Sequence, residues 1–376
     1  MTQPMTRRTA ALAACALLAQ PAAGLAQTAP TAQSSVKFGA TLSLTGASAS
    51  IGEDQRRGML LALEEINARG GVLGQPLQLI VEDTGGRAVS ALDAAKKLVS
   101  VDKVAAVLGE YSSSLTIPVG QYVVREGLPF VNHGSSSPAV RSIGDGSFSV
   151  IGLDDASARF SAQDLWDLGY RKVAFIAPNN AYGQGVAAEF KKNFEQLGGT
   201  LATQLLYTAG QSTYRRELQQ MERSKPDVFV YSAYGQEAAV INREAFDLGL
   251  HQAHPWYAIY HTMCTTDSAP EHVAGQRGID VRSVGPQGQN FKAAYEARHG
   301  HPFKSSYTGY AYDAVRLLAA AVQKAGTTQP DAVKQALRSV ANGYEGATGT
   351  LTFAADGQRA EQPYQKTVYQ GRVQPR

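Results

Sequence analysis

Val104-Ala105-Ala106-Val107-Leu108-Gly109-Glu110-Tyr111-Ser112-Ser113-Ser114 and Pro129-Phe130-Val131-Asn132-His133-Gly134-Ser135-Ser136-Ser137-Pro138 follow one local plan. Each opens with a short apolar run of strand length, breaks at a glycine and ends in three consecutive serines. Each then enters a helix. Pro118 falls in the first turn of one and Pro138 opens the other, where a missing N–H costs least. Hydroxyls and free backbone N–H groups at a helix N-terminus favour a bound anion such as a carboxylate. The loops follow consecutive strands, so both lie on one edge of one sheet.

The same alternation extends in both directions. Strand-like runs precede the pair at Val36–Leu44 and Leu77–Glu82 and follow it at Phe148–Ile151, Val173–Ala177, Thr200–Tyr207, Val228–Ser232 and Trp256–Tyr260. Between them stand segments with apolar residues three and four apart. Met59, Leu60, Leu63 and Ile66 end at Gly70-Gly71, and Val186 to Leu197 ends at Gly198-Gly199. Strand and helix in turn point to doubly wound parallel sheets, an α/β fold. The rhythm runs once before Asp154-Asp155 and again before residue 281, which gives two lobes. The remainder reads as helices at Phe291–Ala297, Tyr310–Ala325 and Asp331–Val340. Extended segments follow at Thr348–Phe353 and Lys366–Tyr369, around the turn Ala355-Asp356-Gly357. A fold of this kind takes its ligand where the strand C-termini of the two lobes face each other.

Composition narrows the function classes. The 376 residues suffice for two domains, and 44% hydrophobic with 18% charged residues is an ordinary globular mix. The net charge is +3 with no basic run, which argues against nucleic acid as a partner. Residues 1–26 read as an export signal: Arg7 and Arg8, the apolar stretch Thr9–Ala19, Pro21, and small residues at Gly24-Leu25-Ala26. Its removal lowers the charge to +1 by taking away two arginines. Arg7-Arg8 leaves both the general and the twin-arginine export routes open. Leu12-Ala13-Ala14-Cys15 resembles a lipoprotein box, but the chain after it stays apolar. Nothing later approaches the ~18 apolar residues of a membrane span. Cleavage after Ala26 leaves Cys264 as the sole cysteine, so no internal disulfide can form.

The serines have a plain alternative role as helix caps. Ser114 and Ser137 are the expected N-caps, with Pro138 at the first helical position. One cap needs one hydroxyl, so Ser113 and Ser136 are left over for a ligand.

The chain resembles the leucine/isoleucine/valine-binding protein family. The likeness rests on Leu44-Thr45-Gly46, Ile51-Gly52, Gly58 and Ile66-Asn67-Ala68-Arg69-Gly70-Gly71-Val72 with Gly74. It continues through both serine loops, Ala181-Tyr182-Gly183-Gln184-Gly185 and Tyr310-Ala311-Tyr312-Asp313-Ala314. The resemblance implies a type I periplasmic binding protein: two α/β lobes joined by three crossovers and closing over a small ligand. One lobe would be residues 34–153 plus 282–353, the other 154–281 plus 354–376. It also implies that the ligand carboxylate sits on Ser113, Gly134 and Ser136. The aromatic lining would come from Tyr182, Tyr234 and Tyr307, with Tyr111 and Tyr260 beside them. Two positions depart from the family pattern. Tyr260 stands where an acid pairs with the ligand's ammonium group, and Ile51 stands where a tyrosine lines the pocket. A buried ammonium without an acceptor costs several kcal/mol. Either Glu110, Glu237 or Asp267 replaces the missing acid, or the ligand is an aromatic or other carboxylic acid without an amine.

The expected function is therefore non-enzymatic. A periplasmic monomer captures a small carboxylate, an amino acid or an aromatic acid, and delivers it to the inner-membrane permease of an ABC importer of the branched-chain amino-acid type. The alternative is a periplasmic receptor that reports the ligand to a signalling system. No catalytic residue, cofactor or metal site is expected. Gly183-Gln184-Gly185-Val186-Ala187-Ala188 matches a dinucleotide fingerprint by letter, but five residues separate it from its strand. His251, His254 and His261 are scattered, and His299-Gly300-His301 reads as a surface turn.

Overall fold

Val36–Leu42 (β1) is buried at almost every position, because a central strand of a parallel sheet carries helices on both faces. In the computed structural model, which describes residues 34–376, β1 is flanked by Leu77–Asp83 (β2) and Ala106–Gly109 (β3). Phe130–Asn132 (β4) and Ser147–Ser149 (β5) complete the sheet, in the order β2-β1-β3-β4-β5 and all parallel. The export-signal reading of residues 1–26, Cys15 included, lies outside the described residues.

A second sheet repeats the plan. Lys172–Pro178 (β6), Thr200–Tyr207 (β7), Val228–Tyr231 (β8), Trp256–Ile259 (β9) and Arg277–Val281 (β10) run parallel in the order β7-β6-β8-β9-β10. This is the same winding as the first sheet. The order reverses direction beside β1 and again beside β6, and such a switch point opens a crevice at the strand C-termini. The strand β10 is absent from the sequence reading, since Arg277-Gly278-Ile279-Asp280-Val281 carries a charge at its centre. Asp280 is nonetheless buried there, and its carboxylate accepts the backbone N–H of Thr262 at 2.6 Å and of Val281 at 2.8 Å.

The helices that matter for the site begin at strand ends: Ala49–Ala68 (α1), Ala88–Ser100 (α2), Ser113–Arg125 (α3), Asp154–Asp167 (α4) and Ala181–Gln196 (α5). The chain passes between the sheets three times: after β5, after β10, and on the way to Tyr364–Tyr369. The two extended segments at the end separate. Gly349–Leu351 pairs with Tyr344–Gly346 in a small hairpin, whereas Tyr364–Tyr369 joins β10 antiparallel and is followed by Val373–Pro375. Gln362 ties the crossovers together. Its side-chain oxygen accepts the N–H of Gly152 at 2.9 Å and its amide donates to Tyr310, whose hydroxyl donates to the carbonyl of Arg282 at 3.0 Å.

Both lobes rest on apolar burial. Phe38, Phe130 and Phe148 in the first sheet and Phe175 and Phe190 in the second lobe are fully buried, each contributing about 1.5–3 kcal/mol relative to exposure. Cys264 is a buried free thiol whose Sγ donates to the carbonyl of Ile259 at 3.3 Å.

Candidate functional site

The two serine loops lie side by side, as consecutive parallel strands require. Asn132, the last residue of β4, shapes the second loop. Its Oδ1 accepts the N–H of Ser135 at 2.8 Å, and its Nδ2 donates to the carbonyl of Ser135 at 2.7 Å. Gly134 then passes so close to the first loop that a Cβ there would stand 2.7 Å from the Cα of Tyr111. Ser135 is absorbed into the scaffold, bonded to Thr116 and to the carbonyl of Glu110. Ser113 accepts the N–H of Ser137 at 3.2 Å, which leaves its own hydroxyl proton unused. Ser112 is the N-cap of α3 but makes no capping hydrogen bond, so the first-turn N–H groups of Ser113 and Ser114 are uncapped. Uncapped first-turn N–H groups beside a free hydroxyl proton form a natural anion site.

Capping follows the expected pattern at one serine and departs from it at the other. Ser137 is the N-cap of the short 3-10 turn Pro138–Ile143 and accepts the N–H of Ala139 at 3.3 Å. Ser114 caps nothing. Its hydroxyl accepts the N–H of Ala181, at the start of α5, at 3.1 Å, and Ser137 donates to the carbonyl of the same Ala181 at 2.8 Å. Helix α3 begins two residues earlier than the capping argument requires, which frees Ser114 to reach the second lobe. The lobes meet again where the N–H of Gln236 donates to the carbonyl of Ala47 at 3.1 Å and Ser50 donates to Asp267 at 2.9 Å.

The second lobe presents tyrosines from successive strand ends. Tyr182 lies in α5 after β6, Tyr234 caps the helix Gly235–Asp247 after β8, and Tyr260 follows β9. Tyr111, Tyr234, Tyr182, Tyr260 and Tyr307 form one line, with successive ring centroids 5.5, 5.9, 6.3 and 6.3 Å apart. Each is buried. The hydroxyl of Tyr182 pairs with Ser232, that of Tyr234 accepts from Asn180, and that of Tyr307 donates to the sulfur of Met263. Tyr260 adopts the left-handed conformation at φ 62°, which costs about 1–3 kcal/mol and clusters at functional sites. The eight expected ligand residues thus lie where the lobes meet, Ser113, Gly134, Ser136, Tyr111 and Tyr307 from the first lobe and Tyr182, Tyr234 and Tyr260 from the second.

The residue missed by the sequence reading is Asp154. It stands at the first crossover, and its N–H donates to the carbonyl of Ser136 at 2.6 Å. Its Oδ2 accepts from the Ser136 hydroxyl at 3.0 Å, and its Oδ1 accepts from Tyr260 at 2.8 Å and from Ser157 at 2.9 Å. Burial pushes its carboxyl up to about 7, against the lowering effect of those three donors. An acid on α4 thus stands one hydrogen bond from the Tyr260 hydroxyl, at the position where the resemblance implies an acid. The pair is 106 residues apart, and neither local spacing nor periodicity reports it.

The three acids considered from sequence lie elsewhere. Glu110 is fully buried in the first lobe, accepting from Ser43 at 2.5 Å and Thr84 at 2.9 Å, and burial pushes it up to about 7. Glu237 holds Tyr207 and the N–H of Gly210, and Asp267 bonds Ser50 at the lobe contact. Ile51 is buried in α1 with the apolar core. His254 sits against Glu222 and stacks on Phe229, and His299 and His301 flank Tyr295.

Two doubly wound lobes, meeting at their strand C-termini around buried hydroxyls and aromatic rings, define a bilobal solute-binding protein. A family model described as periplasmic binding protein matches residues 35–372. A Pseudomonas aeruginosa protein named amino acid binding protein is 30% identical over 305 residues, covering 78% of this chain and 80% of that one. The chain belongs to the periplasmic binding protein family, and it binds a solute rather than transforming one. Solved structures share the fold. One is a leucine binding protein from Thermotoga maritima, with TM-score 0.83 and 22% identity over 91% of this chain and 97% of that one. Another is a solute binding protein from R. palustris in complex with benzoate, with TM-score 0.83 and 18% identity over 91% and 95%. Among the described residues no helix is long and apolar enough to cross a membrane.

Proposed function

We propose that this protein works in the periplasm as the solute-capturing component of an ABC importer, closing over a small carboxylic acid and presenting it to an inner-membrane permease. Residues 34–153 with 282–353 and residues 154–281 with 354–376 are the two bodies that move. The observation that carries this reading is the pairing of two walls. Ser113 offers a hydroxyl proton beside the uncapped N–H groups of α3, and a line of tyrosines faces it from the other lobe. The first wall suits a carboxylate, and the second encloses an apolar or planar body. Leucine and benzoate, named for two proteins of the same fold, both carry a carboxylate; leucine adds an amine and an aliphatic chain where benzoate has a planar ring.

A thermal-shift screen of amino acids, aromatic acids, aliphatic acids and uncharged amides tests the reading. A ligand at a hundred times its Kd stabilises the protein by about 2.7 kcal/mol. Stabilisation by acids alone supports it, and stabilisation by the amides alone overturns it.

A further inference from the structure

The geometry around Ser136 points to a polarity switch: we propose that the proton on Asp154 decides whether Ser136 turns a lone pair or a proton toward the ligand, and so whether the cleft prefers an amine-bearing or an amine-free carboxylic acid. This rests on the carboxylate reading above and names what sets the ligand class within it.

A serine hydroxyl has one proton to give. When Asp154 is ionised, that proton is spent on its Oδ2, 3.0 Å away. The remaining lone pairs of Ser136 then face the cleft, backed by a buried negative charge, and this arrangement accepts from an ammonium group. When Asp154 is protonated, the proton belongs on Oδ2, because Oδ1 already accepts from both Tyr260 and Ser157. The carboxyl then donates to Ser136, whose own hydroxyl proton is released toward a ligand oxygen. Ser136 becomes a second carboxylate donor beside Ser113, with no charge behind it. Only one proton is gained or lost, and the scaffold does not move, since the N–H of Asp154 holds the carbonyl of Ser136 in either state.

The surroundings allow both states near neutral pH. Burial is the main reason the carboxyl is held at about 7. On its own helix the nearest charge is Asp155, which is paired with Arg141 from the turn after the second serine loop. The serine loop contributes the Ser136 hydroxyl and carbonyl, and its one titratable side chain, His133, is buried and pushed down to about 3, so it stays neutral. Tyr182 from α5, Tyr260 after β9, Tyr307 before the helix Thr308–Ala325, and Tyr364 from the last crossover all feel the Asp154 charge and stay neutral, their hydroxyls pushed well up by burial. On β10 Asp280 is held by backbone N–H groups and Arg277 is exposed at the far end of the strand, and Lys366 is engaged with Asp164 and Asp167. No lysine or arginine among the described residues bonds Asp154, so a ligand ammonium would be its first counter-charge.

Matched pairs that differ only in the amine isolate the effect: leucine with 4-methylpentanoate, and phenylalanine with 3-phenylpropanoate. Between about pH 6 and 8.5 the ligands themselves keep their charges, so titration calorimetry reads the protein. The affinity ratio of the amine-bearing to the amine-free member should rise with pH, by up to about tenfold per pH unit where Asp154 titrates. In Asp154→Asn the carboxamide N–H donates permanently to Ser136, and the ratio should stay low at every pH. Tyr260→Phe removes one donor from Oδ1, which should move the midpoint to higher pH; it carries the test if the asparagine variant does not fold. A wild-type ratio that does not change with pH overturns the switch, as does a Tyr260→Phe midpoint that stays in place. Ser113→Ala separates the underlying reading, since it should weaken both members of a pair alike. If it weakens neither, or if no member of either pair binds, the carboxylate reading falls and the proposal with it.

Discussion

Tyr111 and Tyr234 meet edge to face, their ring centroids 5.5 Å apart and their planes at 85°. Tyr111 follows β3 in the first lobe and Tyr234 follows β8 in the second, so the contact exists only while the strand ends of the two lobes face each other closely. Aromatic pairs in this geometry are worth about 0.5–1.5 kcal/mol beyond their buried area. A double-mutant cycle with Tyr111→Ala and Tyr234→Ala should show a coupling of that size in ligand affinity. Strictly additive losses would mean that the pair takes no part in closure.

The backbone of Ala181 is gripped on both its N–H and its carbonyl, by Ser114 and Ser137 respectively. Replacing both serines with alanine should weaken ligand binding by roughly 1–3 kcal/mol, and stopped-flow measurements should place the loss in faster release. Small-angle scattering should show the wild-type protein becoming more compact on saturation with ligand, and the double variant less so. A wild-type radius of gyration indifferent to a saturating ligand would remove closure as the mechanism.

The carboxylate wall makes its own demand. Ser113→Ala should cost about 1–3 kcal/mol of affinity, because it deletes a hydrogen bond to a charged group, with far-UV circular dichroism unchanged. Gly134→Ala should do more damage than its size suggests, since the added Cβ would press on the Tyr111 backbone at 2.7 Å and push the two loops apart. Binding by the Gly134 variant at wild-type strength would show that the loops need not touch.

Stability should report Asp154 as well. Its carboxyl lies at about 7 in the folded protein, against an ordinary 3.8. A raised value means that the folded state binds the proton more tightly, so this contribution is fully present below 3.8 and is lost as pH rises through 7. Asp154→Asn lacks that dependence. Its stability relative to wild type should therefore improve between pH 5 and 8, by on the order of 2–3 kcal/mol. His133 and His261 are buried and pushed down to about 3; their opposite slope is common to both proteins and cancels in the comparison. Denaturant melts at the two pH values would settle the sign, and a relative stability that stays constant would place the Asp154 carboxyl in its ordinary range.

What the sequence determined by itself is what neighbouring residues decide together. Apolar runs bounded by glycine, and helical spacing between them, were enough to read two doubly wound lobes. Three serines where a cap needs one set Ser113 and Ser136 aside as the expected ligand contacts. The family likeness added Gly134 and the tyrosines, and all of these converge. Tertiary structure alone decided how those groups are used. Ser114 reads locally as a cap, yet it bonds Ala181, 67 residues away. Asp154 reads as the edge of a domain, yet it joins Ser136 to Tyr260 across 18 and 106 residues. Position 260 reads as the loss of an acid, and the fold sets the Asp154 carboxylate against the tyrosine that stands there. The physical reason is that periodicity and turn chemistry act within a few residues, whereas the partner of a buried polar group is chosen by which strand ends the winding brings together. No pattern along the chain carries that choice, because it is made only when the two sheets face each other.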